Sequence, residues 1–157
     1  MLENKTVAVV IPAHDEEKLI GATISGVPAF VDRIVVVDDR SNDGTAAAVE
    51  SLSDPRVELI RHERNQGVGA AIVTGYKRAR DEGIDVTAVM AGDNQMDPAD
   101  LETLVVPVAR GEVDYAKANR LFTGQAWDLI PRTRYLGNAV LSLLTKVASG
   151  YWHRTWL

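Results

Sequence analysis

The sequence predicts an α/β protein built on a mostly parallel sheet with helices on both faces. Three observations lead there. Short β-branched runs alternate with helical patterns, as βαβ units require. Those runs are apolar on successive residues, as in strands buried on both faces. Three polar clusters each follow a strand and none precedes one, which puts them at the strand ends where open α/β sheets bind ligands.

Thr6 to Ile11 is the first strand, a nearly continuous β-branched run. Leu19, Ala22 and Thr23 continue as a helix from the acidic turn Glu16-Glu17, whose charges suit the positive end of a helix dipole. Arg33 to Val37 repeats the strand signature, and Ser41-Asn42-Asp43 signals a helix start before Ala46, Val49 and Leu52. Val57 to Ile60 is a shorter strand. Val68, Ile72, Gly75, Tyr76 and Ala79 have helical spacing over a longer span. Val86 to Met90 is the last clear strand, and Asp97-Pro98 pairs an N-cap aspartate with proline at the first helical position.

Composition narrows the function. The chain has 157 residues, 46% apolar and 25% charged, enough for one globular domain over residues 1–157. It has no cysteine, so thiolate metal sites and disulfides are excluded. The N-terminal residues lack the basic start and apolar core of a signal peptide, which sets a cytoplasmic protein as the expectation. The net charge of -5 is uneven. Residues 1–115 carry 11 Lys+Arg against 21 Asp+Glu, net -10, while residues 116–157 carry six basic residues against Asp128, net +5. That asymmetry suggests an anionic partner for the basic part. The basic residues match no nucleic-acid-binding motif, so nucleic acid is excluded.

The strand-end clusters carry the chemistry. In Asp38-Asp39-x-Ser41-x-Asp43, two adjacent carboxylates at a buried strand end need separate partners. Alternating side-chain direction assigns Asp38 to the turn and Asp39 to a nucleotide, with Ser41 and Asp43 as turn and cap residues. Asp93 and Gln95 offer a carboxylate and an amide oxygen, adequate for Mg²⁺ or Mn²⁺ when diphosphate oxygens and water complete the shell.

Together, Ile11-Pro12-Ala13-His14-Asp15-Glu16-Glu17, Val35 to Thr45 and Val89 to Pro98 resemble the family 2 glycosyltransferases, in order and over nearly the whole chain. The resemblance implies a GT-A (Rossmann-like) fold, a nucleotide-sugar donor, and an inverting sugar transfer. It places Pro12, Ala13 and Glu16 at the nucleotide, with Gly69, Ala91 and Gly92 lining the same pocket. His14, expected to be the only histidine near the site, stands where the family usually has another residue. The family's Asp-Ala-Asp-Gly-Gln reads Ala91-Gly92-Asp93-Asn94-Gln95 here, so its first aspartate is missing. Asp93 and Gln95 are then the metal ligands, and Arg120, ending Asp114-Tyr115-Ala116-Lys117-Ala118-Asn119-Arg120, looks like the family's strand-end arginine that would balance the leaving diphosphate. Arg132 and Arg134 open an apolar-striped helix with Leu136, Val140, Leu143, Leu144 and Val147, followed by Tyr151, Trp152 and Trp156. That pattern resembles the branch acting on polyprenyl phosphates at the cytoplasmic face of the membrane. UDP-hexose is the favoured donor and GDP-mannose the second. Relatives continue beyond Trp156-Leu157 with an acceptor segment, so the expectation is a domain lacking that segment. A non-catalytic nucleotide-sugar-binding domain is the alternative, motivated by Ala91.

Overall fold

Four parallel strands make one sheet: β1 (Val7–Ala13), β2 (Arg33–Asp38), β3 (Val57–Arg61) and β4 (Val86–Val89), in the order β3-β2-β1-β4. The computed structural model describes residues 1–118, 141 and 144. The chain divides into two compact units, Met1–Ala116 and Lys117–Leu157. The first contains the sheet with α1 (Ile20–Gly26), α2 (Thr45–Glu50), α3 (Val68–Asp81) and α4 (Asp100–Ala109). In the second, Leu141 and Leu144 are helical and exposed. No helix among the described residues is long and apolar enough to cross a membrane.

Successive β-branched residues are explained by helices on both faces of the sheet. Val7, Val9, Ile11 and Ala13 of β1 join Ile34 and Val36 under Ile20, Ile24, Val49, Leu101 and Val105 of α1, α2 and α4. Val10, Val35 and Val37 point the other way and meet Ala71 of α3. The period of two in side-chain direction thus splits one apolar run between two cores.

Two helix faces differ from the periodicity reading. On α1 the buried residues are Ile20, Thr23 and Ile24, whereas Leu19 and Ala22 are exposed. On α3 they are Ala71, Gly75 and Ala79, whereas Val68 and Tyr76 are 66% and 42% exposed. The reason is close approach. A Cβ at Gly75 would overlap both methyl groups of Val10, so α3 rests its small-residue stripe on β1 and turns its larger residues outward. The strand expected over Asp114 to Arg120 is not formed at residues 114–118, and Asn119 and Arg120 lie outside the described residues.

Register positions the site. Ala13 pairs with Asp38 and Asp38 with Arg61, so β1, β2 and β3 end level. The chain then crosses from β3 to the far side of β1, where β4 pairs Val7 to Val10 with Val86 to Val89. Such a reversal of strand order opens a crevice at the carboxyl edge, the usual ligand position in these sheets.

Candidate active site

A cavity of about 340 Å³ occupies that crevice, within the usual size range of small-molecule sites. Its walls come from the ends of β1 (Pro12, Ala13, His14, Glu16), β2 (Asp39) and β4 (Ala91, Gly92, Asp93), and from the start of α3 (Asn65, Gly67, Val68, Ala71). Of the residues assigned to the site from sequence, the structure brings together Pro12, Ala13, His14, Glu16, Asp39, Ala91, Gly92 and Asp93. Gly69 is not among the lining residues. Gly67 takes its place, with a φ of +87° that disfavours any side chain. Gln95 is exposed and does not line the cavity; its backbone N–H donates to Asp93 Oδ1 at 3.1 Å. Arg120, Arg132 and Arg134 lie outside the described residues.

The paired aspartates separate as side-chain alternation requires. Asp38, fully buried, accepts the Ser41 N–H at 2.9 Å and the Arg61 Nε–H at 3.3 Å, and so holds its own turn. Asp39, 3% exposed, faces the other way. Its Oδ1 accepts from His62 Nδ1 at 2.7 Å and the Gln66 N–H at 2.9 Å, and its Oδ2 accepts the Gly67 N–H at 2.7 Å. Burial pushes the Asp39 carboxyl up. The bonds from Gln66, His62 and Gly67 outweigh burial and hold it below the usual carboxylate range.

His62 corrects the expectation that His14 is the only histidine near the site. A lone histidine after a short strand forms no motif. The signal that finds it is position, one residue past the carboxyl end of β3. His14 itself ties the loops together: its Nδ1 is 3.0 Å from the Asp39 carbonyl and its Nε2 3.2 Å from Asn65 Nδ2.

The acidic turn after β1 is not used as a helix-dipole partner of α1, whose first turn holds no acidic residue. It clasps the loop after β2 instead. Asp15 accepts the Asn42 N–H at 2.7 Å, Glu17 accepts the Gly44 N–H at the start of α2, and Asp43 accepts the Glu17 N–H at 3.1 Å. Ser41 and Asp43 are turn and cap residues as expected; Asp43 Oδ1 also accepts the Thr45 N–H at 2.9 Å. Asp97 accepts the Ala99 N–H at 2.9 Å, so it caps the turn that leads into α4. The helix proper begins at Asp100, two residues later than Pro98 at N1 would give.

Each of the three loops turns through a non-glycine residue in the left-handed region: Asp15 at φ 56°, Arg40 at 63° and Asn94 at 54°. Asp and Asn tolerate this conformation through local hydrogen bonding, whereas arginine does not, so strain is stored beside the cavity.

Charge in the cavity gathers on Glu16 and Asp93. Burial pushes the Glu16 carboxyl up, and the carboxylates of Asp93, Asp43 and Asp15 push it the same way. A cation between these groups would relieve that repulsion. Among the described residues no group of three or more His, Cys, Asp or Glu converges to hold a metal. The residues therefore fit a cation only of the kind whose shell is completed by substrate phosphates and water.

A parallel sheet with a crevice at its switch point and loops built around a buried aspartate defines an open α/β domain with its ligand position at the carboxyl edge. The profile of glycosyl transferase family 2 matches residues 8–153, and the chain belongs to that family. It is 29% identical to the UDP-N-acetylglucosamine–dolichyl-phosphate N-acetylglucosaminyltransferase of Methanococcus voltae, over 96% of this chain and 66% of that protein. It is 32% identical to the dolichol-phosphate mannosyltransferase of Pyrococcus furiosus, over 75% of this chain and 34% of that protein. Among solved structures, glucosyl-3-phosphoglycerate synthase from Mycobacterium tuberculosis, in complex with Mn²⁺, UDP and glucosyl-3-phosphoglycerate, superposes with a TM-score of 0.56 at 23% identity, over 69% of this chain and 41% of that one. The fold is GT-A. The chain spans about two-thirds or less of each of these proteins.

Proposed function

We propose that this chain is the donor-binding domain of an inverting, metal-dependent glycosyltransferase that moves a sugar from a UDP-linked hexose or N-acetylhexosamine to a polyprenyl phosphate. The observation that carries the donor reading is the acceptor count at Asp39. A carboxylate offers about four acceptor positions. Two on Oδ1 and one on Oδ2 are filled by His62, Gln66 and Gly67, which leaves one on Oδ2. A single acceptor suits the one imide N–H of uracil. Guanine presents two adjacent donors on the same edge and would leave one unpaired in a dry site, at a cost of roughly 1–3 kcal/mol.

Pro12, Ala13 and Val68 supply apolar wall, and Glu16 and His14 offer polar contacts toward ribose. Asp93 would hold a divalent cation together with diphosphate oxygens, and that cation would supply charge neutralisation of the leaving diphosphate. Arg120 adds to it. The lipid phosphate is already an anionic nucleophile, so a base is not required and catalysis rests on positioning. Arg132 and Arg134, which lie outside the described residues, are the basic side chains the sequence offers for recognising that phosphate at the cytoplasmic face of the membrane. The names of the Methanococcus and Pyrococcus relatives support the acceptor class.

Titration calorimetry with UDP and with GDP, each with Mn²⁺, tests the donor; tighter GDP binding overturns it. Turnover of radiolabelled nucleotide-sugar on a short polyprenyl phosphate by the full-length gene product tests the reaction. Ala91, where the family has an aspartate, favours a second reading as a non-catalytic nucleotide-sugar-binding domain. Tight UDP binding without transfer from any common donor would select it.

A further inference from the structure

His62 sits one residue past β3 with its side chain 8% exposed. Its backbone N–H donates to the Asp38 carbonyl at 2.9 Å, which ties it to the sheet edge. Its ring lies between two partners: Nδ1 is 2.7 Å from Asp39 Oδ1, and Nε2 is 3.0 Å from Thr74 Oγ1 on α3. A carboxylate only accepts, so Nδ1 carries the proton and donates. In the neutral ring, Nε2 then accepts the Thr74 hydroxyl proton. This is the arrangement in which one ring nitrogen's partner sets the role of the other.

The other two donors to Asp39, the Gln66 and Gly67 N–H groups, belong to the loop that leads into α3. Among the described residues His62 is the one side chain that donates to this carboxylate, and it reaches Oδ1 from within the protein while Asp39 lines the cavity. Without it, Oδ1 would keep a single donor and the carboxylate could rotate about its last bond. The acceptor position left on Oδ2 would then lose its fixed direction.

We propose that His62, backed by Thr74, is a positioning residue that fixes the Asp39 carboxylate so that one Oδ2 lone pair reads the imide N–H of a uracil base. The proposal rests on the uridine-nucleotide reading of the cavity. It makes base discrimination a property of the β3 end and of α3, although neither residue lines the cavity.

The probe is a pair of nucleotides that differ at that one atom. UDP carries N3–H, whereas CDP has a bare lone pair at N3. Affinities of both are measured by calorimetry with Mn²⁺ for the wild type and for His62→Leu, His62→Asn and Thr74→Val. The wild type should prefer UDP by about tenfold or more, the worth of one hydrogen bond to a charged group. His62→Leu should weaken UDP by about tenfold and leave CDP nearly unchanged, so the ratio collapses toward one. His62→Asn, whose amide N–H can occupy the place of Nδ1–H, should restore most of the preference. Thr74→Val keeps shape and removes only the hydroxyl, and should lower the ratio by a smaller factor. A merely structural role would weaken both nucleotides together, and that result overturns the proposal. If His62→Leu does not fold, Thr74→Val and His62→Asn decide: an unchanged ratio in the first with no preference in the second also overturns it. A wild type with no preference for UDP overturns the uridine reading and the positioning role together. A wild-type preference that survives in every variant overturns the positioning role alone.

Discussion

Replacing Gly75 by alanine tests how α3 is seated and hence how the cavity wall is held. In an exposed helix interior this change stabilises by about 1 kcal/mol. Here the new methyl would fall within the space of Val10 Cγ1 and Cγ2. Val10 is fully buried in a central strand and hydrogen-bonded neighbours flank it on both sides, paired as Val35 and Val89. It has no route outward, so overpacking should cost on the order of 1–3 kcal/mol. The net expectation is a loss of up to about 2 kcal/mol, or several degrees in Tm for a chain of this size. Val10→Ala alone removes two buried methyl groups and should cost about 2–3 kcal/mol, transfer and cavity terms together. In the double variant the alanine at position 75 fills part of that cavity. It should be no less stable than Val10→Ala, a coupling of about 1–3 kcal/mol. Urea unfolding of the wild type, both single variants and the double variant measures the cycle. The first turns of α3 also carry Val68 and Ala71 of the cavity wall, and Val10 lies two residues before Pro12. UDP affinity should therefore fall in Gly75→Ala and recover in the double variant. Additive stabilities, or a more stable Gly75→Ala, would refute the close-approach argument.

Four further variants have expected outcomes. Asp93→Asn should weaken metal-dependent UDP binding at least tenfold while leaving the metal-free melting temperature nearly unchanged, because asparagine Oδ1 can still accept the Gln95 N–H. Asp97→Asn should leave both nearly unchanged, since asparagine also accepts the Ala99 N–H; exchanged behaviour of the two variants would contradict the metal assignment. Hydrogen bonds from the Thr6 N–H and hydroxyl and from Lys5 hold the Asp85 carboxyl down at about 2, so its contribution is complete above about pH 4 and is lost as pH falls through about 2. Asp85→Asn should accordingly flatten the acid limb of stability measured by urea midpoints, and an unchanged limb would count against that clasp between β1 and β4. Arg132→Ala combined with Arg134→Ala should weaken binding to anionic liposomes by about 1 kcal/mol per residue and raise KM for lipid phosphate without moving UDP affinity; loss of UDP binding instead would assign these arginines to the donor.

The sheet was legible because strands covered on both faces leave no polar residue to blur the pattern, and Val7 to Ile11 and Ile34 to Val37 are such runs. The division of labour between Asp38 and Asp39 was legible for a related reason: adjacent residues on a strand point to opposite sides. Helix faces were less so. Periodicity weights large apolar side chains, and it favours Val68 and Tyr76 on α3. What seats α3 is the absence of side chain at Ala71, Gly75 and Ala79. Gly67 and Gly69 look equivalent in sequence, yet only the first has a positive φ and a place in the cavity wall. His62 was hidden because its partners, Asp39 and Thr74, are 23 and 12 residues away and meet it only when β2, β3 and α3 are assembled.

The strand-end loops show why a count of acidic residues would mislead at this edge. Asp15, Glu17, Asp38, Asp43 and Asp97 each accept a backbone N–H, from Asn42, Gly44, Ser41, Thr45 and Ala99 respectively. Those bonds fix loops that otherwise carry strained residues such as Arg40. None of the five lines the cavity. The three that do behave differently. Asp39 is held by three donors with one acceptor position left, Asp93 is bound only through the Gln95 N–H, and the Glu16 side chain accepts no hydrogen bond among the described residues. Among the lining residues, uncompensated negative charge is therefore confined to Glu16 and Asp93, which follow β1 and β4, the two strands to one side of β2 and its satisfied Asp39 in the sheet order. A ligand that brings one N–H donor at one end and a cation with its diphosphate at the other would meet each group with the partner it lacks, and a metal-loaded nucleoside diphosphate has that distribution of chemistry.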